Sequence, residues 1–120
     1  MPGAHMPEAQ YTQIREPRFR LYPTDNDWIF FKFDTATGRL WMVQISYGMS
    51  PRGTAVIDDT VKTNPGESLV NGRFTLTPSE DTRLFVIMDT EDGRCWQVKV
   101  IPSALNMTPR DVIVEPLDSE

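Results

Sequence analysis

Three pairs of neighbouring carboxylates are the side chains in this sequence best suited to acid–base chemistry: Asp25 with Asp27, Asp58 with Asp59, and Glu91 with Asp92. A glycosidase needs only two carboxyl groups about 5–10 Å apart, one of them with its pKa raised by its surroundings. The pairs therefore define a carboxylate-dependent, glycan-active reading. Each falls in a turn or at a strand end, where Asp favours local backbone hydrogen bonds and solvation, so a structural role is preferred. A hard cation is disfavoured as well, because DTEDG at 89–93 lacks the D-x-[DN]-x-[DN]-G order and the distant glutamate of a calcium loop.

Nucleophilic and soft-metal chemistry has less to draw on. His5 is the one histidine and Cys95 the one cysteine, so the base of a catalytic triad and the ligand set of a zinc site are both missing. Neither a GxxxxGK[ST] phosphate loop nor a GxGxxG fingerprint occurs. No catalytic residue, cofactor or metal is expected, and Cys95 reads as a half-buried strand residue that forms no internal disulfide. Net charge is −5 with Lys and Arg scattered, whereas nucleic-acid binding calls for a basic stripe. Nucleic acid is thus not the expected partner. The longest compact apolar run, Trp28 to Phe31, ends at Lys32, far short of the roughly 20 residues of a membrane span.

The elements that must position these side chains come from an internal repeat. Arg18 to Ile45 aligns without a gap on Arg73 to Val100 at an offset of 55, with 11 of 28 positions identical. Among the identities are Arg18/Arg73, Phe19/Phe74, Asp34/Asp89, Gly38/Gly93, Arg39/Arg94 and Trp41/Trp96. Asp34 with Arg39, and Asp89 with Arg94, flank the duplicated hairpin closely enough to pair across it and stabilise the turn. The match resumes as Ser50 to Val56 against Thr108 to Val114. Residues 1–5 read as an expression scar, 6–17 as an N-terminal arm, and 18–116 as one all-β domain. Within the domain, repeat 1 covers about 18–58, a linker 59–72 and repeat 2 about 73–115, before an acidic tail at 117–120. A natural start near Met6 would favour the cytoplasm.

Each repeat reads as four short strands, because β-branched and aromatic runs are punctuated by Pro, Asp, Thr and Gly. They fall at about 18–22, 28–34, 39–46 and 54–58, then 73–77, 83–89, 94–101 and 111–115. TATGR and TEDGR are read as three-residue hairpin loops with Gly38 and Gly93 at positive φ. Thr35 then opposes Arg39, Phe33 opposes Trp41, Phe31 opposes Val43 and Ile29 opposes Ile45. Phe19, Leu21, Phe74 and Leu76 complete one inner face, with Trp41 and Trp96 in a common core. The architecture expected is about eight antiparallel strands in a sandwich or flattened barrel with pseudo-twofold symmetry.

An aspartate and a TG turn ahead of a tryptophan are also similar to the repeat of pyrroloquinoline-quinone-type propellers. Two blades cannot close a ring, so that alternative requires propeller-blade-like meanders closed by oligomerisation. The duplicated pattern RFxLxPTxNxWxFxxxDTxTGRxWxVQ further resembles a group of uncharacterised bacterial proteins from gut anaerobes. The resemblance covers Arg18 to Val100, departs at Arg83 and Cys95, and implies a bacterial origin without an activity.

Differences between the repeats point towards binding. Repeat 1 carries Tyr22, Trp28, Lys32, Leu40, Met42 and Tyr47, where repeat 2 has Thr77, Arg83, Ile87, Cys95 and Gln97 at the first five aligned positions. The expected register turns Trp28, Phe30, Lys32, Leu40 and Met42 outward, with Arg20 and Tyr22 on the same side. Aromatic and aliphatic groups with Arg and Lys among them have the composition of an interface centre. The expectation is a non-enzymatic interaction module or structural accessory protein. A protein partner or a second copy would occupy this outer face, unless the N-terminal arm or Ile101 to Met107 covers it. The alternative is a carbohydrate binder using Trp28, Tyr22 and Asp27.

Overall fold

The computed structural model describes residues 16–101 and 107–117. Eight strands form in chain order: β1 (Phe19–Pro23), β2 (Ile29–Asp34), β3 (Leu40–Gln44), β4 (Gly53–Asp58), β5 (Phe74–Pro78), β6 (Leu84–Asp89), β7 (Cys95–Val100) and β8 (Val112–Leu117). A short 3-10 turn, Pro109–Asp111, precedes β8. Sheet 1 is the antiparallel meander β1-β2-β3-β4 and sheet 2 the meander β5-β6-β7-β8. This is the expected all-β architecture of two four-stranded repeats, as two stacked sheets rather than a closed barrel. No described helix is long and apolar enough to cross a membrane.

The loop at the centre of each sheet is longer by one residue than expected. Asp34 N–H donates to Arg39 O at 3.0 Å and Gly38 N–H to Asp34 O at 2.8 Å. Asp89 and Arg94 repeat the closure at 2.8 Å, with Gly93 N–H donating to Asp89 O. The loop therefore holds four residues, 35–38, and closes on Asp34 and Arg39 rather than on Thr35 and Arg39. Gly38 and Gly93 both sit at φ 81° as expected, a conformation that favours glycine because it has no Cβ.

One residue of loop length flips every side chain of the following strand. Phe33 opposes Leu40, Lys32 opposes Trp41 and Phe31 opposes Met42. The expected pairs of Phe33 with Trp41 and Phe31 with Val43 are thus corrected, and so is the face on which β3 displays its residues. In β1, Arg20 opposes Phe33 and Tyr22 opposes Phe31. Opposed residues of an antiparallel pair share a face. Each sheet then has an obverse, the side of Phe31 and its equivalent Val86, and a reverse, the side of Phe30 and its equivalent Phe85.

The core lies between the obverse of sheet 1 and the reverse of sheet 2. Ile29, Phe31, Phe33, Leu40 and Met42 supply the first, and Phe74, Leu76, Phe85, Ile87, Val98, Val100 and Val112 the second. Each fully buried Leu, Ile or Phe contributes about 1.5–3 kcal/mol through removal from water. Phe31 and Phe85 meet across the sheets, edge to face, with ring centroids 5.2 Å apart. A twofold would have placed equivalent faces against each other. The stacking is instead obverse on reverse, so Phe74 and Leu76 are buried as expected while Phe19 and Leu21 are exposed. Trp96 packs on the margin of the core, whereas Trp41 lies on the reverse of sheet 1, away from it.

Candidate functional site

A carboxylate lies buried at the hairpin of each sheet. Arg18 Nε and Nη2 donate to Asp34 Oδ1 and Oδ2, both at 3.1 Å, and the Ala36 amide donates to Oδ1 at 2.9 Å. Thr37 Oγ1 and Arg39 Nη2 donate to Oδ2 at 2.7 and 3.2 Å. Burial alone would raise the Asp34 carboxyl, but these charge-assisted bonds outweigh it and hold the group at about 2. Asp89 is built alike, accepting from Arg73 Nε and Nη2 at 3.0 and 2.9 Å, from the Glu91 amide at 2.9 Å and from Arg94 Nη2 at 2.9 Å. Burial again opposes and the hydrogen bonds again win, holding its carboxyl well below the usual range.

With all these donors the two carboxylates are fixed anions that brace the turns. Arg39 and Arg94 as their partners were legible from the sequence, whereas the bidentate Arg18 and Arg73 were missed. The signal was the RF that opens each repeat, sixteen residues before its aspartate.

The turn of sheet 1 is further closed by Lys62 from the linker. Its ammonium donates to Gly38 O and Asp58 Oδ2, both at 2.7 Å, and stands 5.7 Å from the Trp96 ring centroid. Burial pulls the Lys62 ammonium below its ordinary value, and the Asp58 carboxylate partly restores it. The candidate acid pairs are partly consumed in such contacts: Asp58 binds Lys62, Asp59 approaches Arg39 at 3.6 Å and Asp92 binds Arg94 at 2.8 Å. Cys95 is a free, half-buried thiol on the obverse of sheet 2.

The reverse of sheet 1 is the most chemically distinctive open surface. Lys32 Nζ stands 4.8 Å from the Trp41 ring centroid and 5.7 Å from that of Phe19. The two rings meet edge to face at 6.1 Å. Arg18 lies 5.2 Å from the Phe19 centroid and Arg39 5.2 Å from that of Trp41, so cations and rings alternate across the face. Sheet 2 repeats the arrangement inside the sandwich: Phe74 and Trp96 are 6.3 Å apart, Arg73 and Arg94 flank them, and Ile87 replaces Lys32.

The residues singled out from the sequence do not form one patch. Phe30 and Lys32 lie on the reverse, beside Phe19, Leu21 and Trp41. Leu40 and Met42 are buried in the core, and Tyr22 packs against it at a T-shaped 6.5 Å contact with Phe33. Arg20 shares their face but binds Glu16 at the margin, at 2.8 Å. The expected outer grouping of all seven is therefore corrected: the one-residue difference in the hairpin loop turns Leu40 and Met42 inward, while the β1–β2 register, which pairs Arg20 with Phe33 and Tyr22 with Phe31, puts those two on the core side. Of the segments expected to cover it, residues 6–15 and 102–106 lie outside the described residues.

Trp28 stands apart at the end of sheet 1. Its N–H donates to Asn26 Oδ1 at 2.9 Å, and its carbonyl accepts from Ile45 N–H at 2.9 Å. The half-exposed ring borders an open cleft of about 590 Å³, also lined by Asn26, Tyr47, Met49 and Met107. Tyr47 was noted in the sequence only as a difference between repeats. Tyr22 is not part of this cleft.

No family model matches the chain, and neither a curated protein nor a solved structure matches it.

Proposed function

We propose that the protein is a non-enzymatic interaction module whose partner is a protein surface docked on the reverse of sheet 1. The observation that carries this reading is the exposed row of Phe19, Leu21 and Val56 flanking Lys32 and Trp41. A contiguous surface of rings and aliphatic groups costs free energy in water and is rarely left bare. Cations seated on aromatic rings add directionality at little entropic cost, because ring and charge are already in place. Leu21→Arg puts a further charge at the β1 end of this row. Affinity capture from the native host is expected to recover proteins with the wild type that are lost with Leu21→Arg. Identical recovery with both would remove the reading.

A second reading is carbohydrate binding in the end cleft, favoured by Trp28 and Tyr47 beside the amide of Asn26. Sugar rings stack on such aromatic faces while amides hydrogen-bond hydroxyl groups. Saturable binding on a glycan array that Trp28→Ala abolishes supports this reading over the first.

A further inference from the structure

The sandwich inside one chain is a heterologous contact between two copies of the same unit. The obverse of repeat 1 is spent on the reverse of repeat 2, which leaves outside the reverse of repeat 1 and the obverse of repeat 2. These are the sequence equivalents of the two faces already docked. Both keep exposed apolar residues: Leu21 is 61% exposed and Phe19 46%, while Val86 is 37% and Met88 38%. Ile113 and Leu117 extend the second face. A contact of this kind does not terminate itself, because each added unit presents the same unused surface as the last.

A separate feature, at the turns, points the same way. The turn of sheet 1 is buried from Thr35 to Gly38, and the start of repeat 2 covers it, with Phe74 N–H donating to Thr35 O at 2.8 Å and Gly72 N–H to Thr35 Oγ1 at 2.9 Å. The equivalent turn of sheet 2 is exposed from Thr90 to Gly93. A Cβ on Gly38 would meet Lys62 at 2.6 Å, whereas one on Gly93 would meet nothing within 4 Å. What covers the first turn is the linker, through Lys62 and Gly72, together with Phe74 at the beginning of the following repeat. No described residue covers the second turn in the same way.

We infer that the chain assembles head to tail with further copies of itself, the obverse of sheet 2 on one copy docking on the reverse of sheet 1 on the next. This rests on the reading of that reverse face as an interaction surface, and names its partner. Val86 of one copy then meets Phe30 of the next, as Phe31 meets Phe85 within the chain, and Phe19 N–H reaches Thr90 O as Phe74 N–H reaches Thr35 O. Lys32 stands on one face, while the other carries Glu115 together with Lys99. Four-stranded meanders stacked face to face close into rings of about four to eight blades, so with two per chain the assembly holds about two to four chains.

Sedimentation velocity of the purified full chain, Leu21→Arg, Val86→Arg and their equimolar mixture tests this. The wild type is expected as one species of two to four chains, and each variant alone as a monomer with an unchanged circular dichroism melt. The mixture is expected to form a heterodimer, because one variant keeps its obverse and the other its reverse intact. If either Arg variant fails to fold, Phe19→Asp or Met88→Asp takes its place. A monomeric wild type at the highest soluble concentration overturns the inference, as does Val86→Arg remaining oligomeric, which would mean like faces pair. Polymers that grow with concentration overturn the closed ring. Monomeric wild type with Leu21-dependent capture from the host would leave the interaction-module reading standing while removing self-assembly.

Discussion

Phe31 and Phe85, the rings that meet edge to face at 5.2 Å between the sheets, are not equivalent residues of the two repeats. Phe31 aligns with Val86, and Phe85 aligns with Phe30. That mismatch carries the account: equivalent units stacked front to back share one core and leave two complementary faces outside.

Equivalent positions should therefore respond unequally to truncation. Phe33 is fully buried, and Phe33→Ala is expected to cost about 3–5 kcal/mol. Its equivalent Met88 is exposed, and Met88→Ala is expected to change stability in the isolated chain by less than about 1 kcal/mol. Urea denaturation below the concentration of any assembly gives both values.

The two turn glycines separate conformational cost from packing cost. Both have φ 81°, so alanine is strained at either, by about 1 kcal/mol. Gly38→Ala must in addition displace Lys62, whose ammonium is held by Gly38 O and Asp58. Thermal melts are expected to show a clearly larger loss for Gly38→Ala than for Gly93→Ala.

The buried carboxylates make stability depend on acid. Both are held below their unfolded values, so their contribution is complete above the ordinary carboxylate pKa near 4. For Asp34 it is lost as pH falls towards about 2, because the unfolded chain takes up a proton that the folded one refuses. The melting temperature of the wild type is expected to fall more steeply between those values than that of Asp34→Asn. At neutral pH, Asp89→Asn is expected to cost up to about 3 kcal/mol, since Arg73 loses its bidentate partner but keeps Glu67 at 2.8 Å. Asp34→Asn should cost less, since Arg73 is 3% exposed whereas Arg18 and Arg39 are 37% and 27% exposed and can rehydrate.

Strand positions, turn glycines and the Asp–Arg pairing were legible because each is a local signal. Pro, Asp and Gly punctuate runs of apolar residues, and both repeats carry the same punctuation. The faces of sheet 1 were legible only in β2, where Ile29, Phe31 and Phe33 point into the core as expected; β1 and β3 are turned the other way. Whether the loop closes on Asp34 or Thr35 is decided by the Asp34 side chain, which caps the Ala36 amide and takes the hydroxyl of Thr37. A sequence of alternating apolar residues on both faces, such as Ile29-Phe30-Phe31, fits either register. Lys32 was a clue: a lysine opposite Trp41 fits an outer face better than a core. The end cleft was half legible, since Trp28 was singled out for binding but Tyr47 joins it only through the fold of the 45–52 loop.

Front-to-back stacking is tested most directly by nuclear Overhauser effects among the aromatic side chains, in a sample dilute enough to be monomeric. Cross-peaks between the Phe31 and Phe85 rings, with Val86 methyls silent towards Phe31, are the expected result. Cross-peaks from Phe31 to Val86, with none to Phe85, would mean that equivalent faces meet about a twofold and would contradict the account.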